Sequence, residues 1–257
     1  MNHRGAEAQR TPRKFQSVFF LCVSLPLWWI AGFPALSIVK QMKLIIGNKN
    51  YSSWSLRAWL LMRVNNIAFE EERIPLDQPD TKRRILARSP GGKVPVLIDG
   101  ATTIWDTLAI AEYLAEKFPK NSLWPVDTPA RAQARSVTAE MHSGFVALRG
   151  AMPMNCRGSF PGRGATPQSQ ADITRIIAIW EDCRARHRAG GEFLFGEFCI
   201  ADAFFAPVVS RFSTYAVPLT GAARRYADAV SALPAMREWV AAGKAETEII
   251  TTDEPYA

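Results

Sequence analysis

The pattern of apolar and polar positions changes character near the middle of the chain. Up to about residue 118, apolar residues fall in short runs and alternations separated by turn residues; beyond about residue 128 they recur at helical spacing. Lys43–Gly47 reads as a short buried strand, ended by Gly47 and the polar run Asn48-Lys49-Asn50. A helix is expected from Ser52 or Ser53, with Leu56, Trp59, Leu60 and Val64 on one face and Asn65-Asn66 as its stop. Phe69–Ile74 alternates apolar and charged residues like a half-buried strand, Asp80–Ala87 reads as a short polar helix, and Ser89-Pro90-Gly91-Gly92 as a loop. Val94–Ile98 and Thr102–Trp105 flank Asp99-Gly100, the sequence signature of a hairpin turn. Asp106 then opens a helix striped by Ile110, Tyr113, Leu114 and Phe118.

The order strand, helix, strand, helix, hairpin, helix predicts a four-stranded mixed sheet covered by helices. Residues 42–119 form this α/β domain, and 119–129 read as a linker. Thr128-Pro129 predicts a capped helix start. One face of that helix carries Val137, Met141, Phe145 and Leu148, and a Gly/Pro-rich loop covers 157–167. Ile173, Ile176, Ile177 and Trp180 stripe a further helix ending at Gly190-Gly191. Others are expected at 200–215, 222–230 and 234–242, so that residues 129–257 are all-helical.

The N-terminal segment, 1–41, stands apart. Phe15–Val39 contains no charge and follows Arg10, Arg13 and Lys14, the arrangement of a leader peptide or membrane anchor. Pro26 and Pro34 interrupt it, and Met42 heads the first strand. The preferred expectation is that translation starts at Met42; a membrane partner follows only if the extension is real.

Charge changes little in this picture. The formal net charge is +7, of which Arg4, Arg10, Arg13, Lys14, Lys40 and Glu7 contribute +4, leaving +3 for the rest. Without a basic run interleaved with aromatics, nucleic acid is not expected as a partner. The four cysteines, Cys22, Cys156, Cys183 and Cys199, match neither a zinc spacing nor a disulfide framework, and the three histidines show no metal spacing. Reduced cysteines, a cytoplasmic setting and no metal are therefore expected.

Two helix starts and one proline carry candidate chemistry. A helix N-terminus presents unpaired N–H groups and partial positive charge, which favour an anion. A serine there is either a plain cap or a donor to a bound thiolate. Asp106-Thr107 suits an α-amino acid head group, with the carboxylate for an ammonium and Thr107 N–H and Oγ for a carboxylate, or is simply another cap. Val94-Pro95, with a proline opening a strand, would in the cis form expose the Val94 backbone to an extended peptide.

Tyr51-Ser52-Ser53-Trp54-Ser55-Leu56-Arg57, Gly92-Lys93-Val94-Pro95-Val96-Leu97, Trp105-Asp106-Thr107-Leu108-Ala109-Ile110 and Ala111-Glu112-Tyr113-Leu114 together resemble the glutathione transferase superfamily. They stand in family order on a thioredoxin-like domain, and the similarity covers nearly everything from Met42 on. The Ser-x-x-Ser-x-Arg arrangement is most similar to the serine-type tau, phi and zeta classes. The resemblance implies Ser52 as the residue that activates the glutathione sulfur, with Ser53 beside it. It also implies a γ-glutamyl site at Asp106 and Thr107, where the family usually has Glu or Gln followed by Ser. Val94, before a cis Pro95, would pair with the cysteinyl backbone, and Lys93 is the candidate for the glycine carboxylate. Trp54, His142, Phe145, Arg149, Met152 and Met154 would face the electrophile, although Phe145 shares a stripe with Met141 and can equally be core. Arg149 is suited to a developing enolate or carboxylate. A homodimer is implied as well.

A serine cannot form the mixed disulfide that a cysteine at Ser52 would allow. It leaves glutathione itself as the nucleophile, for conjugation, dehalogenation or thiol-assisted isomerisation. The expected activity is thus a glutathione transferase acting on a small hydrophobic electrophile. The alternatives are a glutathione-dependent cis–trans isomerase of a dicarbonyl acid and a non-catalytic glutathione-binding module. Finally, Cys199-Ile200-Ala201-Asp202 stands where the family places a Ser/Thr-x-x-Asp capping box, with cysteine the weaker cap.

Overall fold

The computed structural model describes residues 41–187 and 189–257; the expectations placed on the N-terminal segment lie outside the described residues. Leu44, Ile45 and Ile46 are fully buried, which requires cover on both faces of their strand and places it inside the sheet. Strand β1 (Lys43–Ile46) indeed pairs in parallel with β2 (Glu70–Arg73) and antiparallel with β3 (Val96–Asp99), and β3 pairs antiparallel with β4 (Thr102–Ile104), in the order β2-β1-β3-β4. The period of two splits the core. Leu44, Ile46 and Leu97 face the main core, while Ile45 and Val96 face a smaller one with Ile74 and Ile85. Helices α1 (Ser53–Val64) and α3 (Thr107–Lys117) supply apolar side chains to the main core; α2 (Thr81–Leu86) contributes Ile85 to the smaller. This is the thioredoxin-like arrangement expected, followed by the all-helical part.

Six helices follow: α4 (Thr128–Ser143), α5 (Val146–Ala151), α6 (Pro167–His187), α7 (Ile200–Thr214), α8 (Gly221–Ala232) and α9 (Pro234–Ala245). Helix α7 is buried along almost its whole length and packs on α1 and α4. Trp180 of α6 lies against Phe205, Phe212 and Tyr226. The two parts of the molecule are joined by Trp59 of α1 and Trp239 of α9, in edge contact at 5.2 Å with the Lys49 ammonium over both rings.

Residues 246–254 then return to the loop that follows β1. Glu246 accepts from the Lys49 and Asn50 N–H groups at 2.8 and 3.1 Å. Glu254 takes the Tyr51 hydroxyl at 2.5 Å and Arg157 at 3.0 Å, and Ile250 is buried. The turn ahead of α1 is thus held by residues about two hundred positions away.

Several local expectations shift. The hairpin turn is Gly100-Ala101 rather than Asp99-Gly100, because Gly100 supplies the positive φ (61°) while Asp99 stays in β3 with Tyr113 Oη at 2.6 Å from its carboxylate. Asp127, not Thr128, caps α4: its carboxylate accepts from Ala130 N–H at 2.9 Å. The stripe from Val137 to Leu148 spans two helices, broken where Phe145 adopts φ 59°. In α6 Ile173, Ile176 and Trp180 are buried as expected, joined by Ile179, whereas Ile177 is only half-buried. The stretch 119–129 contains a short 3-10 turn, Pro119–Asn121, and buries Leu123 and Trp124.

Candidate functional site

Ser52 ends the loop after β1 and caps α1, its Oγ accepting from Ser55 N–H at 3.3 Å. Ser52 Oγ and Ser55 Oγ lie 2.7 Å apart, and Ser55 Oγ also accepts from Gly47 N–H at 3.0 Å. Either hydroxyl can donate across the Ser52–Ser55 pair. With Ser55 donating, the chain of bonds from Gly47 ends on Ser52 Oγ and the Ser52 proton turns to the cleft it lines. Ser53, the first residue of α1, is buried, and its Oγ is 3.4 Å from Arg211 Nη2.

Ser52, Ser53, Lys93, Val94, Arg149 and Met154 share a cleft of about 450 Å³. A smaller pocket of about 180 Å³ adjoins it and is lined by Lys93, Val94, Pro95, Asp106 and Thr107; Trp54 borders both. The Val94–Pro95 peptide bond is cis. Lys93 is exposed and makes no ion pair among the described residues.

At the second helix start, Asp106 Oδ1 accepts from Leu108 N–H at 3.0 Å and Oδ2 lies 3.1 Å from His142 Nε2. The Thr107 hydroxyl has no partner among the described residues, and neither does its N–H. The structure therefore brings Asp106 and His142 together, a pairing the sequence did not reveal. It occupies the carboxylate oxygen that would meet an ammonium group. Burial, opposed by Asp106 and aided by Arg57 and Arg149, lowers the His142 pKa from its ordinary value.

His142 meets the Trp54 ring edge-on at 5.2 Å but lines neither pocket. Phe145, expected to face the electrophile or else to be core, is buried in the core cluster and also lines neither pocket. Met152 and Met154 are buried, Met154 at the cleft wall.

Electrostatics dominate the opposite wall. Arg57 is fully buried, with its guanidinium 4.2 Å from the Trp54 ring centre and its Nε donating to Phe204 O at 3.2 Å. The Arg149 guanidinium lies 4.8 Å from the same ring centre and donates to the carbonyls of Met141 and His142. Arg211 donates to Met152 O at 2.9 Å and Pro207 O at 3.3 Å. Desolvation lowers the pKa of all three, Arg211 to about 10 and Arg57 well below its ordinary value. Repulsion from Arg149 adds to the effect at both Arg57 and Arg211. Arg211 was missed in the sequence, although a single charge inside the apolar run Phe204–Phe212 was a usable signal. Asp253 also lines the cleft and carried no signal at all.

Among the described residues no group of acidic, histidine and cysteine side chains forms a metal site, and no helix is long and apolar enough to cross a membrane. Cys156, Cys183 and Cys199 are free and buried, and burial raises their thiol pKa values, Cys156 to about 11 and Cys183 to about 12.

Comparison with known proteins gives two family matches: glutathione S-transferase, N-terminal domain, over residues 51–117, and glutathione S-transferase, C-terminal domain, over residues 163–242. A dichloromethane dehalogenase from Methylophilus leisingeri is 41% identical over 68 residues, covering 24% of this chain and 24% of its own length. A probable maleylacetoacetate isomerase from Caenorhabditis elegans is 32% identical over 97 residues, covering 38% of this chain and 45% of its own. The chain thus spans less than half the length of either relative. A solved glutathione transferase homologue from Burkholderia, with bound glutathione, superimposes with a TM-score of 0.61 at 23% identity, covering 80% of this chain and 99% of that one. At that identity the likeness speaks for the fold.

Proposed function

Because the chain belongs to the glutathione S-transferase superfamily, we propose that it binds glutathione and activates the thiol at the N-terminus of α1 for attack on a small electrophile. The observation that carries this reading is the junction of two pockets at Trp54, Lys93 and Val94. One offers the Ser52 and Ser53 hydroxyls, and the other the free N–H and hydroxyl of Thr107.

In this reading Thr107 takes the γ-glutamyl carboxylate, the Val94 backbone takes the cysteinyl amide, and Lys93 takes the glycine carboxylate. Asp106, already bonded to His142, acts as the cap that holds Thr107 in place and only secondarily as an ammonium partner. The sulfur then lies at the start of α1. There Ser52 Oγ, supported from Gly47 through Ser55, donates to the thiolate and lowers the thiol pKa. Trp54, Arg149 and Met154 border the electrophile. The boundaries at 42–119 and 129–257, a homodimer and a cytoplasmic setting belong to the same proposal.

The test is Ser52→Ala. A hydrogen bond to a charged group contributes about 1.5–3 kcal/mol, so the pKa of bound glutathione should rise by roughly 1–2 units, read from thiolate absorbance against pH. Ser53→Ala should shift it less. Glutathione bound to the wild-type protein with no thiolate signal would remove Ser52 from the chemistry and leave a binding module. A second reading, cis–trans isomerisation of a dicarbonyl acid, draws support from the Ser52-Ser53 pair and the cationic wall; Trp54, where the zeta class has cysteine, counts against it. A panel of aryl halides, epoxides, isothiocyanates and maleyl dicarbonyls separates the two.

A further inference from the structure

Thiol activation does not use all the charge in the cleft. Arg211 enters from the middle of α7 and is 5% exposed. Its Nε and Nη1 are spent on the carbonyls of Met152 and Pro207, which leaves Nη2 aimed at Ser53 Oγ. Arg149 enters from α5, with Nη2 bonded to two carbonyls and Nε buried without a partner. Both line the cleft, and neither forms an ion pair among the described residues. Arg211 is buried and Arg149 half-buried, and two neighbouring guanidinium groups drawn out of water to that extent without a carboxylate are costly. A bidentate oxyanion offsets that cost well, because guanidinium donors match its geometry.

The location restricts the occupant. Neither arginine lines the pocket of Thr107 and Asp106, where the head group of glutathione is proposed to sit. Both arise from the helical part, on the wall facing the sulfur. The one acid of the tail at this wall is Asp253, whose pKa burial raises despite Arg211. An anion entering between the arginines would meet Asp253 as a repelling neighbour.

We propose that Arg149 and Arg211, together with the Ser53 hydroxyl, form a subsite for a carboxylate carried by the electrophile, so that the second substrate is an organic acid. The inference rests on the thiol-activation reading and names the substrate class of that site. For an acidic aryl halide the balance is simple. The glutathione thiolate forms the C–S bond, chloride leaves with the bonding pair, and the ring carboxylate stays on the arginines throughout.

The experiment uses the whole chain and two matched pairs of compounds. Calorimetry compares nitrobenzoate with nitrobenzamide in the presence of saturating S-methylglutathione, and kinetics compare a chloronitrobenzoate with its carboxamide. The acid should bind about ten-fold or more tightly than the amide, as expected for a charge-assisted pair. Arg149→Gln and Arg211→Gln should each bring that preference down towards one, whereas Asp253→Asn should strengthen acid binding about three-fold by removing a partly exposed like charge. Should Arg211→Gln fail to fold, Arg149→Gln and Asp253→Asn test the same point with opposite signs. Equal binding of acid and amide overturns the proposal, as does a preference that survives the arginine variants. Competition between nitrobenzoate and S-methylglutathione also overturns it, by assigning the arginines to glutathione. If the acid preference holds but bound glutathione gives no thiolate signal, the subsite stands and the thiol-activation reading falls.

Discussion

Glu246 offers a direct test of how the turn at Ser52 is held. Its carboxylate is the acceptor for two consecutive backbone donors, Lys49 and Asn50, and it lies 3.3 Å from Arg73 with its side chain 9% exposed. Glu246→Gln keeps the shape, so no cavity contributes. It removes the charge and sets an amide NH2 against one of the two N–H groups. Losing one charge-assisted bond costs about 1.5–3 kcal/mol. The pairing with Arg73, whose side chain is 34% exposed, adds at most ~0.5 kcal/mol after solvent screening. The expected loss is therefore about 2–3 kcal/mol. If it falls on local opening, exchange of the Lys49 and Asn50 amides should accelerate roughly 30- to 150-fold. Native-state hydrogen exchange over residues 48–52, alongside urea denaturation, reads both quantities. Unchanged exchange at those two amides with an unchanged denaturation midpoint would refute the claim that the tail holds this turn.

Three further outcomes are expected. Burial holds the His142 pKa below its ordinary 6.5, so the unfolded chain takes up a proton that the folded one resists. Stability should therefore fall as pH drops below about that value, and His142→Gln should flatten that limb; an identical slope in the variant would exclude His142 as the source. Cys199 sits over the backbone N–H of Asp202 in a reciprocal box with the Asp202 carboxylate. Cys199→Ser should raise stability by about 0.5–1 kcal/mol, with an unchanged or lower denaturation midpoint counting against it. Gly164 has φ 71°, and a Cβ there would approach Ala151 O to 2.2 Å, so Gly164→Ala should cost more than about 1 kcal/mol in the same assay. A near-neutral result would show that the 157–167 loop shifts freely.

The elements of the sheet were legible because each carries its own local signal. Leu44–Ile46 is apolar without interruption, Gly100 marks the hairpin, and Asp106 and Ser52 stand at helix starts. Boundaries moved by one residue where two chemically similar caps adjoin, as at Asp127-Thr128. Break points such as Phe145 depend on backbone conformation, which spacing does not encode. For the candidate site, serine, proline and threonine positions could be named because they lie on short contiguous motifs. The pairing of Asp106 with His142, the approach of Arg211 to Ser53 and the presence of Asp253 in the same cleft depend on separations of many residues. No window along the chain contains both partners. Arg211 was hidden for a further reason: an arginine in a helix reads as solvated surface until its surroundings are known.

The return of residues 246–254 to Lys49–Tyr51 also sets a rule for biosynthesis. Domains emerging from the ribosome fold in order as they are completed. The sheet can form from residues 43–104, but the loop that leads into Ser52 finds its acceptors only when Glu246 and Glu254 have been translated. The proposed thiol activation should therefore appear late in synthesis, after the helical part has docked. A nascent chain stalled before residue 246 would carry every motif of the α/β domain with the turn at Ser52 still unsecured.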